Sequence, residues 1–305
     1  MDYSDPNAFT LPYQLTKQVR RDVYPLLEPT RPELSAKGKT VLITGVTGRI
    51  AKVIAESWVV AGASGVVITG RKIDALENIA AQLKSLAPPG TEVFARGADI
   101  TDEASVAVLF AAAKEAAGKI DVLINSAGSL EPGPVGSVDP TKFFNDFQVN
   151  VLGSYLVTHH FLAQADGAGT VVSMTTGAIG NVFPGMAGYT ASKLAFVRIM
   201  ENLHAERQGV RVFMLMPGIV QTGMTVDSLK PYAKDSPGLT GSWTLFLSTP
   251  RAEWMRGGIL SAVSQGDIEE MEAHKDEIVR DNLLSRAFLN AKLGKDGHPW
   301  TRGSS

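Results

Sequence analysis

The stretch Thr40-Val41-Leu42-Ile43-Thr44 is a short apolar run rich in β-branched residues, and it passes straight into Gly45-Val46-Thr47-Gly48. Apolar residues then recur at Ile50, Val53, Ile54 and Trp58, the spacing of one helix face, before a second apolar run, Gly65-Val66-Val67-Ile68-Thr69. Strand, glycine turn, helix and strand in that order make a β-α-β unit. Few starts constrain a chain as tightly. The two strands must be parallel, the crossover right-handed, and the helix N-terminus must face the turn, where it favours an anion.

The alternation continues. Helix is predicted over Ile73 to Leu86, Asp102 to Ala117, Thr141 to Gln164 and Ala187 to Arg207, and strand over Glu92 to Ala95, Ile120 to Ile124, Thr170 to Met174, Val210 to Met216 and Gly258 to Ala262. The expected fold is α/β: a doubly wound parallel sheet with helices on both faces and a ligand crevice at the carboxyl ends of the strands. Residues 37–265 hold this domain. Before it, residues 1–36 are broken by Pro6, Pro12, Pro25, Pro29 and Pro32 and read as an N-terminal arm that wraps the domain, wraps a neighbouring subunit, or is partly disordered. After it, Ile268, Met271, Ile278, Val279, Leu284 and Phe288 mark amphipathic helix within 266–305, and residues 301–305 read as a disordered tail or a cloning scar.

Composition excludes several classes of function. With 29 Lys plus Arg against 31 Asp plus Glu, nothing suggests a nucleic-acid or anionic-membrane surface. The absence of Cys removes disulfides, thiol catalysis and Cys-ligated zinc, and the five His show no metal-binding spacing, so no metal site is expected. No apolar run reaches the roughly 18 residues of a membrane span. There is no leader-like start, so the expectation is a soluble, cytoplasmic protein whose partner is a small molecule.

Tyr189-Thr190-Ala191-Ser192-Lys193 places a phenol and an ammonium four residues apart, on one helix face. A free Tyr titrates near 10, and an adjacent cation favours the phenolate, which suits proton exchange with a substrate oxygen. Chance supplies the same spacing often. Its neighbours decide: Thr44–Ala51, Ala98-Asp99-Ile100, Asn125-Ser126-Ala127-Gly128, Asn150 and Pro217-Gly218-Ile219-Val220-Gln221-Thr222 stand with it in register. On these motifs the chain resembles the short-chain dehydrogenase/reductase family from about Lys39 to Val263, and the Pro-rich arm and acidic C-terminal helix resemble a fungal branch of it.

The resemblance implies a single Rossmann-type domain that binds NADP(H). It places Gly45, Thr47, Arg49 and Ile50 at the pyrophosphate and Asp99 and Ile100 at the adenine. Asn125, Ala127 and Gly128 would lie along the cofactor, and Pro217, Gly218, Val220 and Thr222 at its nicotinamide end. Two family glycines are replaced by Arg49 and Ala51; Arg49 either points outward to a 2′-phosphate or occupies the pyrophosphate's space. Gly70 stands where NAD-preferring relatives carry an acid, and Arg71 beside it suits a 2′-phosphate. A turn or N-cap role for Asp99 stays open. Asn150, Thr176, Tyr189 and Lys193 would form the catalytic set, with Thr176 thirteen residues before Tyr189 and Thr175 as the second choice. In that set Tyr189 exchanges the proton, Lys193 lowers the Tyr pKa and binds ribose, Thr176 orients the substrate oxygen, and Asn150 holds a water.

Residues 223–247 hold Met224, Leu229, Tyr232, Leu239, Trp243 and Phe246, which either cover an apolar, multi-ring substrate beside Phe183 and Met186 or simply pack a core. The expected activity is an NADPH-dependent carbonyl reductase, reversibly an alcohol dehydrogenase, assembled as a homodimer or homotetramer. The departures at Arg49, Ala51 and Thr176 keep a non-redox enzyme of the same scaffold in view, for isomerisation, dehydration or cyclisation. An NADPH-sensing protein without turnover is the third class.

Overall fold

A computed structural model describes residue 5 and residues 7–285. Strands β1 (Thr40–Thr44), β2 (Gly65–Gly70), β3 (Glu92–Gly97), β4 (Val122–Asn125), β5 (Gly169–Met174), β6 (Val210–Met216) and β7 (Ile259–Ser261) form one sheet. Its order is β3-β2-β1-β4-β5-β6-β7, and every neighbouring pair is parallel. The winding reverses between β1 and β4, so a crevice opens where Gly45 faces the residues after Asn125.

Helices α1 (Arg49–Val60), α2 (Ile73–Leu86), α3 (Glu103–Ala117), α4 (Pro140–Phe147), α5 (Ser154–Gln164), α6 (Ala187–Glu206) and α7 (Pro237–Leu247) cover the two faces. Val41 and Ile43 of β1 pack into one core with Ile54, Trp58, Leu76 and Trp243, while Leu42 enters the other with Val106, Phe161 and Met200. Successive side chains leave a strand on opposite faces. With both faces covered, the strand reads as an unbroken apolar run rather than an alternating one.

Two stretches depart from the sequence reading. The helix expected from Thr141 to Gln164 is interrupted by a π-helical turn, Gln148–Gly153, between α4 and α5. A 3.6-residue period cannot reveal an i→i+5 turn, and the extra residue rotates Asn150 inward, where it is fully buried. The segment 223–247 also divides. Its second half is α7, with Leu239 through Leu247 all buried and the Trp58 indole N–H donating to Thr244 Oγ1 at 2.9 Å. Of the two readings open for Leu239, Trp243 and Phe246 the structure bears out core packing; the stretch before α7, which runs into a 3₁₀ turn at Asp227–Tyr232, contributes Met224, Val226 and Leu229 to the pocket.

The arm lies against this domain as three 3₁₀ turns, Leu11–Tyr13, Pro25–Leu27 and Pro32–Leu34, each with a proline at its start. Leu27, Leu34 and Ala36 are buried in the first core. The amides of Leu15 and Arg20 donate to the carbonyls of Ser264 and Val263, just past β7. At the other end, the short helices α8 (Ile268–Ala273) and α9 (Lys275–Arg280) bury Ile268, Met271 and Ile278, with Leu284 buried beyond them and Val279 exposed. Phe288 and residues 301–305 lie outside the described residues. Among the described residues, no helix is long and apolar enough to cross a membrane and no cluster of His, Asp and Glu could hold a metal ion.

Candidate active site

The crevice between β1 and β4 is built mainly from backbone. Thr44 Oγ1 accepts the N–H groups of Ser126 and Ala127 at 3.1 and 3.0 Å, which stitches the two strand ends together. Gly45 follows with φ +76°, and a Cβ there would lie 2.7 Å from the Ala127 Cα. Only glycine fits. The turn delivers Gly48 as the N-cap of α1 with no side-chain cap, so the amides of the first helical turn and the positive end of the helix dipole face the crevice. Thr47 is exposed and Ile50 half-buried at this end, and Ile50 also lines the pocket described below.

The replaced glycines find places. Ala51 is buried against the core, so its methyl is absorbed. Arg49 is exposed and takes neither expected course: its Nη1 donates to the Gln221 carbonyl at 2.9 Å, tying the start of α1 to the loop after β6. At the end of β2 Gly70 leaves no acid, a Cβ there would sit 3.3 Å from Thr47 Cγ2, and Arg71 is exposed beside it. Asp99 proves to be a turn residue, accepting from the Thr101 amide at 2.9 Å and its hydroxyl at 2.7 Å, and Asp102 is the N-cap of α3. Those bonds, with the Arg71 charge nearby, hold the Asp99 carboxyl below the usual range. Ile100 is buried. An uncapped helix N-terminus, a glycine turn against a strand end and a free guanidinium at β2 together fit a phosphate-bearing dinucleotide.

Beside the crevice, α6 carries Tyr189 and Lys193 one turn apart. Thr176 caps the 3₁₀ turn Gly177–Gly180, with its Oγ1 accepting the Ala178 N–H at 3.2 Å, and its side chain lines the same pocket as Tyr189, near enough to lower the phenol's pKa. Thr175 is buried, and its Oγ1 has no hydrogen-bond partner among the described residues. Asn150 is clamped: its Oδ1 accepts the Ser129 N–H, and its Nδ2 donates to the Ser129 carbonyl and to Ser192 Oγ, all at 2.9 Å. Lys193 is buried and donates to the Met174 carbonyl at 2.9 Å. Asn125, also buried, donates to Thr158 Oγ1 at 3.0 Å.

Burial sets the electrostatics. It pushes the Tyr189 phenol up to about 12, against the opposing influence of Thr176 and with the charge of Asp146 adding to the rise. It also brings Lys193 down to about 8, opposed by the same carboxylate. In this arrangement desolvation outweighs the other influences on the phenol, and the Lys193 ammonium is directed at the Met174 carbonyl.

Past β6, Gly218 adopts φ +83° because a Cβ would lie 2.4 Å from Asp235 Oδ2, the same oxygen that accepts the Ile219 N–H at 2.7 Å. Pro217, Gly218 and Val220 line the pocket beside Tyr189. Thr222 lines it too, with its Oγ1 accepting from the Met224 amide at 3.1 Å. The cavity encloses roughly 210 Å³, well beyond the volume of a few waters. Phe183, Met186, Met224 and Leu229 contribute apolar walls as expected, and so do Phe9, Pro12 and Tyr13 of the arm, which the sequence reading did not place there. It also passed over Asp235 and Asp146. Asp146 had a signal, an acid one helical turn before Asn150 on an otherwise inward face; a lone Asp235 in a variable segment had none.

Comparison with known proteins bears on this geometry. The profile of a family described as short chain dehydrogenase matches residues 39–233. A short chain dehydrogenase of Monascus purpureus is 31% identical over 277 residues, covering 88% of this chain and 94% of that protein. The 7alpha-hydroxysteroid dehydrogenase of Escherichia coli (strain K12) is 28% identical over 254 residues, covering 78% and 97%. Among solved structures, a 7 alpha-hydroxysteroid dehydrogenase complexed with NADH and 7-oxo glycochenodeoxycholic acid superposes with a TM-score of 0.70 at 26% identity, covering 76% of this chain and 95% of that one.

Proposed function

The chain belongs to the short-chain dehydrogenase family of oxidoreductases, and on that premise we propose that it is an NADP(H)-dependent carbonyl reductase, reversibly an alcohol dehydrogenase, for an apolar small molecule of multi-ring size. The observation that carries this reading is that Tyr189 and Thr176 together line a mainly apolar cavity, with Lys193 one helical turn behind Tyr189. A bound nicotinamide would supply or accept the hydride; the residues of this chain handle the proton. Tyr189 gives its proton to the carbonyl oxygen while the Thr176 hydroxyl steadies that oxygen. A phenol held near 12 carries its proton at neutral pH and can donate it to a carbonyl oxygen. Lys193 binds the ribose, and Asn150 buttresses the Ser129 loop behind it. The turn before α1, with Thr47 and Ile50, holds the pyrophosphate, Asp99 and Ile100 the adenine, and Asn125, Ala127 and Gly128 the span between. Arg71 holds the 2′-phosphate, although one solved relative was complexed with NADH, while Arg49 closes the cleft through Gln221. Exposed Phe144, Leu152, Tyr155 and Leu194 along α4 to α6 support a homodimer or homotetramer.

The test is NADPH absorbance with purified protein and a panel of ketones. Tyr189→Phe should lower kcat by about 100-fold or more while NADPH still binds. Undiminished turnover in that variant would remove Tyr189 from the chemistry. Product formed without net NADPH consumption would instead favour isomerisation, dehydration or cyclisation, and tight NADPH binding with no product from any ketone would favour a sensor.

A further inference from the structure

We propose that the N-terminal arm is a wall of the substrate pocket, that it selects ketones bearing a fused aromatic ring system, and that Tyr13 is a positioning residue for Thr176. The inference rests on the Tyr189 pocket being the substrate site. The arm is fastened on both sides of its pocket-facing turn. Upstream and downstream, Arg21 bonds Asn7 Oδ1 at 2.7 Å and Thr10 Oγ1 at 3.1 Å and pairs with Asp235. Ser264 Oγ donates to the Thr10 carbonyl at 2.9 Å, and Arg20 pairs with Asp267 at 2.6 Å. A segment held by so many partners is a fixed surface rather than a passing strap.

What that surface presents is aromatic. The Phe9 ring meets Tyr232 edge-on at 4.8 Å and Phe183 at 5.9 Å, so three rings from three distant segments gather together, and Phe9 and Phe183 line the pocket with Tyr189. Ring clusters of this kind offer both edges and faces to a flat conjugated ligand. Tyr13 acts differently. Its hydroxyl donates to the Gly177 carbonyl and accepts from Asn181 Nδ2 at 3.1 Å. Its ring lies so close to the turn after Thr176 that a Cβ at Gly177 would be 2.9 Å from it, and one at Gly180 2.7 Å from its oxygen. That turn is the one Thr176 caps, so the arm holds the substrate-facing hydroxyl in place from outside the catalytic domain.

The experiment uses the NADP⁺-loaded full chain, calorimetric affinities for 2-acetylnaphthalene and for cyclohexanone, and NADPH-driven turnover of both. Phe9→Ala should weaken the naphthyl ketone about tenfold or more and cyclohexanone less than about threefold, with Phe9→Leu intermediate, since leucine keeps apolar bulk without the ring. Tyr13→Phe should lower kcat at nearly constant KM, because it frees the turn without removing the ring. Equal losses for the two ketones in Phe9→Leu, or no loss in Phe9→Ala, would overturn the wall, and an unchanged kcat in Tyr13→Phe would overturn the positioning role. Binding without turnover would sink the reductase reading and leave the wall standing, whereas failure of the parent protein to bind either ketone would overturn both.

Discussion

The cofactor crevice and the substrate pocket share a boundary at Tyr189, yet they are made in different ways. The crevice is assembled by short segments that lead directly out of neighbouring strands: Gly45 after β1, Arg71 after β2, Ala127 after β4. Its selectivity lies in backbone that nothing but glycine can adopt and in an uncapped helix end. The pocket is assembled by side chains from the arm, the turn after β5, the loop after β6 and the residues past β7, hundreds of positions apart in places. Adjacent strands in a wound sheet bring sequence-local turns together automatically, so one side is fixed by topology and the other is free to vary with the segments laid over it.

That contrast can be broken experimentally. Gly45→Ala should have the largest effect: a methyl 2.7 Å from the Ala127 Cα, on a residue at φ +76°, costs on the order of 3 kcal/mol in stability, and NADPH affinity falls with it. Denaturant titration with and without NADPH reads both, and a near-neutral outcome would mean the crevice is not backbone-limited. Arg71→Ala comes next, with an expected loss of about 10- to 100-fold in the preference for NADPH over NADH, the worth of a charge-assisted bond. An unchanged ratio would remove Arg71 from its role.

Arg21→Ala is the smallest. It acts on the other side, by stripping the cation from Asp235, whose carboxyl burial already pushes above the ordinary range even with Arg21 and the Ile219 amide opposing. Arg21 keeps some solvent contact, which limits the expected cost to about 1–2 kcal/mol at neutral pH. The sign follows from the raised pKa: below about 4 the carboxyl is protonated folded or unfolded and needs no partner. The deficit should therefore grow as pH rises through the carboxylate range. Unfolding curves at pH 4 and pH 7 with equal deficits would show that Arg21 acts by packing alone.

The same contrast explains what the sequence made legible. The β-α-β start, the parallel sheet implied by it and the glycine turn depend on local pattern and on rules of connection, whereas the meeting of Thr44, Gly45 and Ala127 comes from the strand order. Asp99 shows a finer limit, because the turn role and the adenine role ask for the same residue type at the same place, and only the bonds to Thr101 reveal the first. Lys193 shows another: spacing gave its helical face but not that its ammonium turns to Met174. Phe9 and Tyr13 were out of reach because no periodicity links an irregular arm to a turn 164 residues away. Trp243 stayed undecided for a different reason, since a helix buried on all sides and a loop closing over a greasy ligand have the same composition.

The π-helical turn at Gln148–Gly153 gives the chain a point where length and orientation trade against each other. One residue more than an α-turn is accommodated there while α4 and α5 continue on either side, so the added residue is registered locally as a rotation of Asn150 toward Ser129 and Ser192. A lineage that lost that single residue would keep both half-helices and the sheet beneath them, and would relax into a more regular helix. What the irregularity delivers is the aim of one amide group, whose three bonds to Ser129 and Ser192 join the helix to the loop after β4 and to α6.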